Sequence, residues 1–275
     1  MGKRRGEGLE AATMKITLIG AGNLATNLAF ALVEAGHELR QIYSRTDASA
    51  RELAEKTGVE AFTSQIPAIN KDSDVYIVSI TDKALNEIAP QLVEGRELAL
   101  WLHTAGSMPM DVFGCRRRGV LYPMQTFSKQ KRVSFRAIPI FIETAEAEDL
   151  KLVKALAQSL SDSVYELSSQ DRPYLHLAAV FCCNFANHCS TLAARLLEKH
   201  GIPFNVMLPL IDETTKKLHT LPPLEAQTGP ASRGDENVMN KHLQILESEG
   251  EQTLSKIYRL MSQSIQQSAS APETK

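Results

Sequence analysis

Apolar positions change period near the start of the chain. Ile16-Thr17-Leu18-Ile19 is a near-continuous apolar run, the pattern of a strand covered on both faces. The spacing then lengthens, and Leu24, Leu28 and Leu32 fall on one face of a helix. Gly20-Ala21-Gly22 turns between the two. The alternation repeats downstream. Further strands are predicted at 39–43, 59–62, 75–80, 97–102, 119–122, 137–142 and 164–167, with helices at 48–56, 83–92 and 145–160. Gly36 and Gly58 punctuate the helices. Strands alternating with helices predict a doubly wound α/β domain with a mostly parallel sheet over residues 14–168.

From Asp171 the pattern is wholly helical. One apolar helix is predicted from 173 to 200, about 40 Å long, ending at Gly201. It is apolar on most faces and requires neighbours on several sides. Helices at 205–218, 235–247 and 251–267 are expected to supply them, giving an all-α domain over 169–268. A polar loop at 227–235 is too long for a plain connector. Residues 1–13 and 269–275 read as tails, with Met14 a candidate natural start.

Composition narrows the class. The 275 residues are 43% hydrophobic with a net charge of −2. No basic excess points to nucleic acid. The basic N-terminal residues precede no apolar stretch, so no secretory signal is expected. The apolar helix carries His176, Asn184, Asn187, His188 and Arg195, which argues against a membrane span. Cys115, Cys182, Cys183 and Cys189 form no C-x-x-C pair and read as reduced, buried thiols of a cytoplasmic protein, without a metal site.

The glycine turn carries the clearest chemistry. Gly20-Ala21-Gly22-Asn23-Leu24-Ala25 fits G-x-G-x-x-A between a strand and a helix, the context of a Rossmann dinucleotide site. Gly20 allows the tight turn, Gly22 lets a pyrophosphate approach the backbone, and the helix N-terminus favours its charge. The second strand ends in Ser44-Arg45-Thr46, where an NAD site would place a carboxylate for the ribose. A guanidinium there suits a 2′-phosphate, so the expected cofactor is NADP(H). Asp47 leaves a ribose contact open. Ser79-Ile80-Thr81 ends a central strand and should border the cofactor. His103 and Thr104 end the next strand: His103 is a candidate to orient or protonate a substrate, or else satisfies a strand-end carbonyl. The stretch from Tyr122 to Phe127, with Gln125, is a candidate pocket wall or an ordinary loop. Asn184 and Asn187, neighbours on the long helix, either bind substrate or bridge helices. Arg233 either anchors an acidic substrate or pairs with Asp235.

Together these motifs resemble a bacterial family that joins a Rossmann-like domain to a C-terminal helical domain of unknown function. The N-terminal half is similar to the NADP domains of pyrroline-5-carboxylate reductase, β-hydroxyacid dehydrogenases and deazaflavin-dependent NADP reductases. Gly20 to Leu24 and Ser44 to Thr46 carry that likeness. His103 to Gly106, Pro123 to Phe127, Ala178-Ala179 with Asn184-Phe185, and Thr228-Gly229-Pro230 with Arg233-Gly234-Asp235 carry the rest. The resemblance implies a helical domain that dimerises and completes the active site. β-Hydroxyacid dehydrogenases place a catalytic lysine early in the long helix; residues 177–188 contain none, and Asn184 is the nearest polar candidate. The expected function is NADP-dependent hydride transfer to or from a small carbonyl or imine, in a homodimer, with His103 and Asn184 as catalytic candidates and Thr104, Gln125, Asn187 and Arg233 at the substrate. The alternatives are a non-catalytic NADP-binding sensory dimer, favoured by the missing lysine, and a methyltransferase, disfavoured by Arg45.

Overall fold

The computed structural model describes residues 13–270. The tail expected at 1–13 lies outside them apart from residue 13, as do residues 271–275. The chain divides into two compact units, meeting at Cys183 and Asn184.

The first unit is built on one eight-stranded sheet. Its strands are β1 (Lys15–Ile19), β2 (Glu38–Tyr43), β3 (Phe62–Thr63), β4 (Val75–Val78), β5 (Leu100–His103), β6 (Arg118–Pro123), β7 (Ile140–Thr144) and β8 (Val164–Glu166). Their spatial order is β3-β2-β1-β4-β5-β6-β7-β8. All neighbours are parallel except β6 and β7. Every predicted strand is present, though the third is short and lies at the C-terminal end of its predicted span. The helices are α1 (Asn23–Glu34), α2 (Asp47–Thr57), α3 (Asp82–Val93), α4 (Ala147–Leu160) and α5 (Arg172–Ala179).

The sheet is covered on both faces because its strands alternate. Val75 and Ile77 of β4 enter one apolar cluster with Leu18, Leu28, Leu32, Leu100 and Leu102. Tyr76 and Val78 enter the other with Ile19, Leu85 and Trp101. The chain runs outward from β1 through β2 to β3, then returns to place β4 on the other side of β1. This reversal opens a crevice beyond the C-terminal ends of β1 and β4, where such sheets bind ligands.

The second unit contains α6 (Ala186–Glu198), α7 (Leu208–Lys217), the short α8 (Pro223–Ala226), α9 (Glu236–Ser248) and α10 (Gln252–Ser270). Asp235 caps α9 by accepting from the Val238 N–H at 3.2 Å, so of the open pair Arg233 and Asp235 the acid has a local structural place. Met239, Leu243 and Leu246 of α9 are buried. An apolar groove of about 500 Å³ in this unit is lined by Leu192, Leu196, Ile245, Ile257 and Met261, among others.

The predicted long helix runs from Arg172 to Glu198, with one wide turn at Val180–Phe185. Its central apolar window has no buried residue. Among the described residues, the neighbours that its composition demanded do not bury it. Cys182, Cys183 and Cys189 are correspondingly exposed, a correction to their expected burial; Cys115 is buried, and all four are free thiols.

Candidate functional site

A cavity of about 700 Å³ opens at the crevice, walled by residues of the first unit. Gly20, Ala21, Gly22, Asn23 and Leu24 form one side, Ser44, Arg45, Thr46 and Ser49 an end, and Ser79, Ile80 and Thr81 the floor of the β4 edge. Thr104, Ala105, Gly106, Tyr122, Gln125 and His176 also line it, with Asp82 and Phe127.

The glycine turn fits a dinucleotide on two observations. Gly20 has φ +123°, and a Cβ there would stand 2.1 Å from the Ser79 carbonyl oxygen, so this turn excludes a side chain. A Cβ on Gly22 would meet nothing within 4 Å, so that side of the turn is open to a ligand. Gly22 is also the N-cap of α1, where no side chain caps the helix and no acidic residue sits in the first turn. The leading N–H groups of α1 are therefore available to an anion.

The end of β2 is basic. Arg45 is exposed and makes no ion pair among the described residues. Thr46 caps α2, its oxygen accepting from the Ser49 N–H at 3.4 Å. Asp47, which the sequence left able to reach a ribose, instead pairs with Arg51 at 3.1 Å along α2. Among the described residues that line this end of the cavity, none is a carboxylate that would oppose a 2′-phosphate.

The loop after β6 is a strap fastened to α1. Asn27 donates to the Ser128 carbonyl at 3.0 Å and accepts from the Val133 N–H at 3.2 Å. Arg132 stacks over Phe30 with 4.4 Å to the ring centre and pairs with Glu34. The strap carries Gln125 and Phe127 on the cavity wall. Asn27 is an anchor that the sequence pattern did not single out, because it looks like any helical position three residues after Leu24.

His103 corrects an expectation. It is fully buried and is not on the cavity wall. Its Nδ1 accepts from the Ala105 N–H at 3.2 Å, which leaves Nε2–H to donate to the Pro109 carbonyl at 3.2 Å. Burial, reinforced by the Arg172 guanidinium, lowers its pKa to about 4. The ring is a neutral brace for the loop after β5, the strand-end alternative raised from sequence, and cannot reach a substrate without leaving it. Thr104, next along, does line the cavity.

A buried polar hub fixes the start of α5. Arg172 is 1% exposed and pairs with Glu143 of β7 at 2.8 Å. It also donates to the Met108 carbonyl and to Ser169 Oγ. Ser169 in turn donates to Glu143 at 2.6 Å and accepts from the Met110 N–H at 3.1 Å. The hub thus ties α5 to β7 and to the loop that His103 braces. One turn beyond Arg172, His176 meets Tyr122: Nδ1 and Oη are 3.1 Å apart. The sequence marked both residues but did not pair them, since fifty-four positions separate them and no spacing rule applies.

Asn184, Asn187 and Arg233 are exposed residues of the second unit. Among the described residues, no group of three or more His, Cys, Asp or Glu is placed to hold a metal ion.

Comparison with known proteins agrees with this geometry. Residues 15–100 match the family model described as NADP oxidoreductase, coenzyme F420-dependent, and residues 138–265 match a domain of unknown function (DUF2520). A Bacteroides fragilis protein, provisionally classed as an NADP oxidoreductase, is 51% identical over 94% of this chain and 99% of its own, with a TM-score of 0.87. The chain belongs to this NADP oxidoreductase family. Two other solved structures share the fold with the oxidoreductase. A Thermotoga maritima protein is 24% identical, covering 92% of this chain and 98% of its own, with a TM-score of 0.70. An imine reductase from Myxococcus stipitatus, in complex with NADP+, is 16% identical over 92% of each chain, with a TM-score of 0.65. No curated protein matches the oxidoreductase.

Proposed function

We propose that this oxidoreductase transfers a hydride between NADP(H) and a small carbonyl or imine substrate. The observation that carries the reading is one continuous cavity joining the open glycine turn and Arg45 to a polar end formed by Thr104, Tyr122, Gln125 and His176. The first end suits the anionic half of NADP; the second is what a small polar substrate needs.

The chain's own groups divide the work. The N–H groups of α1 hold the pyrophosphate, Arg45 with Ser44, Thr46 and Ser49 holds the 2′-phosphate, and the backbone of Ser79, Ile80 and Thr81 borders the cofactor. Bound NADPH supplies the hydride. Thr104 and Gln125 orient the substrate. In the same proposal the exposed Asn187 and Arg233 are substrate residues and Asn184 is a catalytic candidate; alanine at Asn187 or Arg233 raises KM, alanine at Asn184 lowers kcat, and each leaves NADPH affinity unchanged.

The proposal extends to a homodimer formed through the helical unit. In that unit Leu210 and Leu260 are 60% and 67% exposed. Surfaces of this kind mark interaction sites. By length and composition the helix Arg172–Glu198 also meets the test for a membrane span. Its amide and imidazole groups would be costly in hydrocarbon, so a protein surface suits it better.

The test is spectrophotometric. With imine and carbonyl probes such as pyrroline and pyruvate, the purified protein should oxidise NADPH faster than NADH. Tight NADPH binding with no turnover on a broad panel of both classes would favour the non-catalytic sensory reading instead.

A further inference from the structure

The cofactor roles leave a polar pair on the cavity wall unassigned. Tyr122 is buried except for 8% of its surface, and its ring packs 6.4 Å from that of Phe141. Its hydroxyl faces His176 Nδ1 at 3.1 Å. Both residues border the cavity, beside Gly106 and Thr104. Gly106 makes the pairing possible: a Cβ there would stand 2.6 Å from His176 Nδ1 and 3.0 Å from Tyr122 Cζ. On the other side, the Arg172–Glu143 ion pair sets the first turn of α5 and so the height of His176. Burial pushes the Tyr122 phenol pKa up and the nearby Arg172 charge partly opposes it. The phenol is thus held protonated at rest, near a cation that would steady it when ionised.

We propose that Tyr122 donates the proton to the substrate's carbonyl oxygen or imine nitrogen, and that His176 orients its hydroxyl and returns the proton. The proposal rests on the hydride-transfer reading above. As the substrate carbon accepts the hydride that NADPH supplies, the π pair of the C=O or C=N bond moves onto the heteroatom. The Tyr122 O–H bond breaks and its proton goes to that heteroatom. The phenolate oxygen then takes a proton from His176 Nδ1 while Nε2 takes one from solvent, so the ring holds as many protons after the step as before. In the oxidative direction the same groups carry the proton out. No lysine is needed in the long helix for this chemistry.

The first readout requires no substrate. The full-length protein is titrated by the ultraviolet band of tyrosinate as wild type, Tyr122→Phe and His176→Phe. The step missing in Tyr122→Phe belongs to Tyr122, and it should shift in His176→Phe. If it stays in place, the two residues are not coupled and the pair is overturned. The second readout is turnover of NADPH with pyrroline or pyruvate. Tyr122→Phe keeps the ring against Phe141, so the fold survives. It should lose about 10²- to 10⁴-fold in kcat with NADPH affinity unchanged. Retained kcat would remove Tyr122 as the donor. A wild type that binds no NADPH would overturn the hydride-transfer reading while the tyrosinate titration still reports the coupling, so the two failures are distinguishable.

Discussion

Gly20 and His103 show how differently two single residues declare themselves. Gly20 was legible because its role is a backbone one: the turn between a strand and a helix needs positive φ and close approach to Ser79, and glycine alone meets both. Gly20→Ala should cost at least about 1–3 kcal/mol of stability by denaturant unfolding and abolish NADPH binding. His103 was misleading because a histidine at a strand end serves a ligand or a backbone with the same sequence signature. Its neutral burial has a pH consequence. Its folded pKa is about 4, below the unfolded value of 6.5, so the unfolded chain binds more protons between them. Stability therefore rises with pH across that window, by about 3 kcal/mol for this one group. His103→Gln keeps an acceptor and a donor, and its unfolding free energy should show a flatter slope between these pH values. An unchanged slope would mean that the ring does not stay neutral in the fold.

The elements of the sheet were readable where pattern alone decides them. Strands buried on both faces, such as β4, have few alternatives once Asp and Ser residues bound them. What the pattern could not give is how elements are pinned together. The Asn27 anchor joins α1 to a strap more than a hundred positions away, and the Arg172 hub joins α5 to β7; neither has a local signature. The hub is the more consequential, since α5 delivers His176. Arg172→Met should leave the half-buried Glu143 without its ion-pair partner, still hydrogen-bonded to Ser169, and cost about 1–3 kcal/mol in thermal or denaturant unfolding. Glu143→Gln with Arg172→Met together should recover part of that loss, because the stranded charge is gone. A neutral single variant would show that the hub does not fix the helix.

Across the whole molecule, the order of domains followed from the change in hydrophobic period near Asp171. The boundary did not. The compact first unit reaches Cys183 rather than 168, because Arg172 and His176 pack with the sheet while the sequence from Asp171 looks uniformly helical. The apolar helix also misled as to its cover: its composition demanded neighbours, and the described residues leave its apolar window unburied. The proposed dimer would answer that demand. Light scattering at micromolar concentration should give twice the chain mass of 30.3 kDa, and a monomer would contradict the proposed dimer.

The central claim is that the cavity is an NADP site with Arg45 as its selector. Trp101 is the single tryptophan, buried in β5 beside β4, so energy transfer to a bound nicotinamide is readable. Titration of the wild type and of Arg45→Asp with NADPH and NADH tests the claim most directly. The wild type should bind NADPH at least about tenfold more tightly than NADH, roughly 1.4 kcal/mol, and Arg45→Asp should remove or reverse that preference. Equal affinity for the two cofactors in both proteins, or binding of neither, would contradict it.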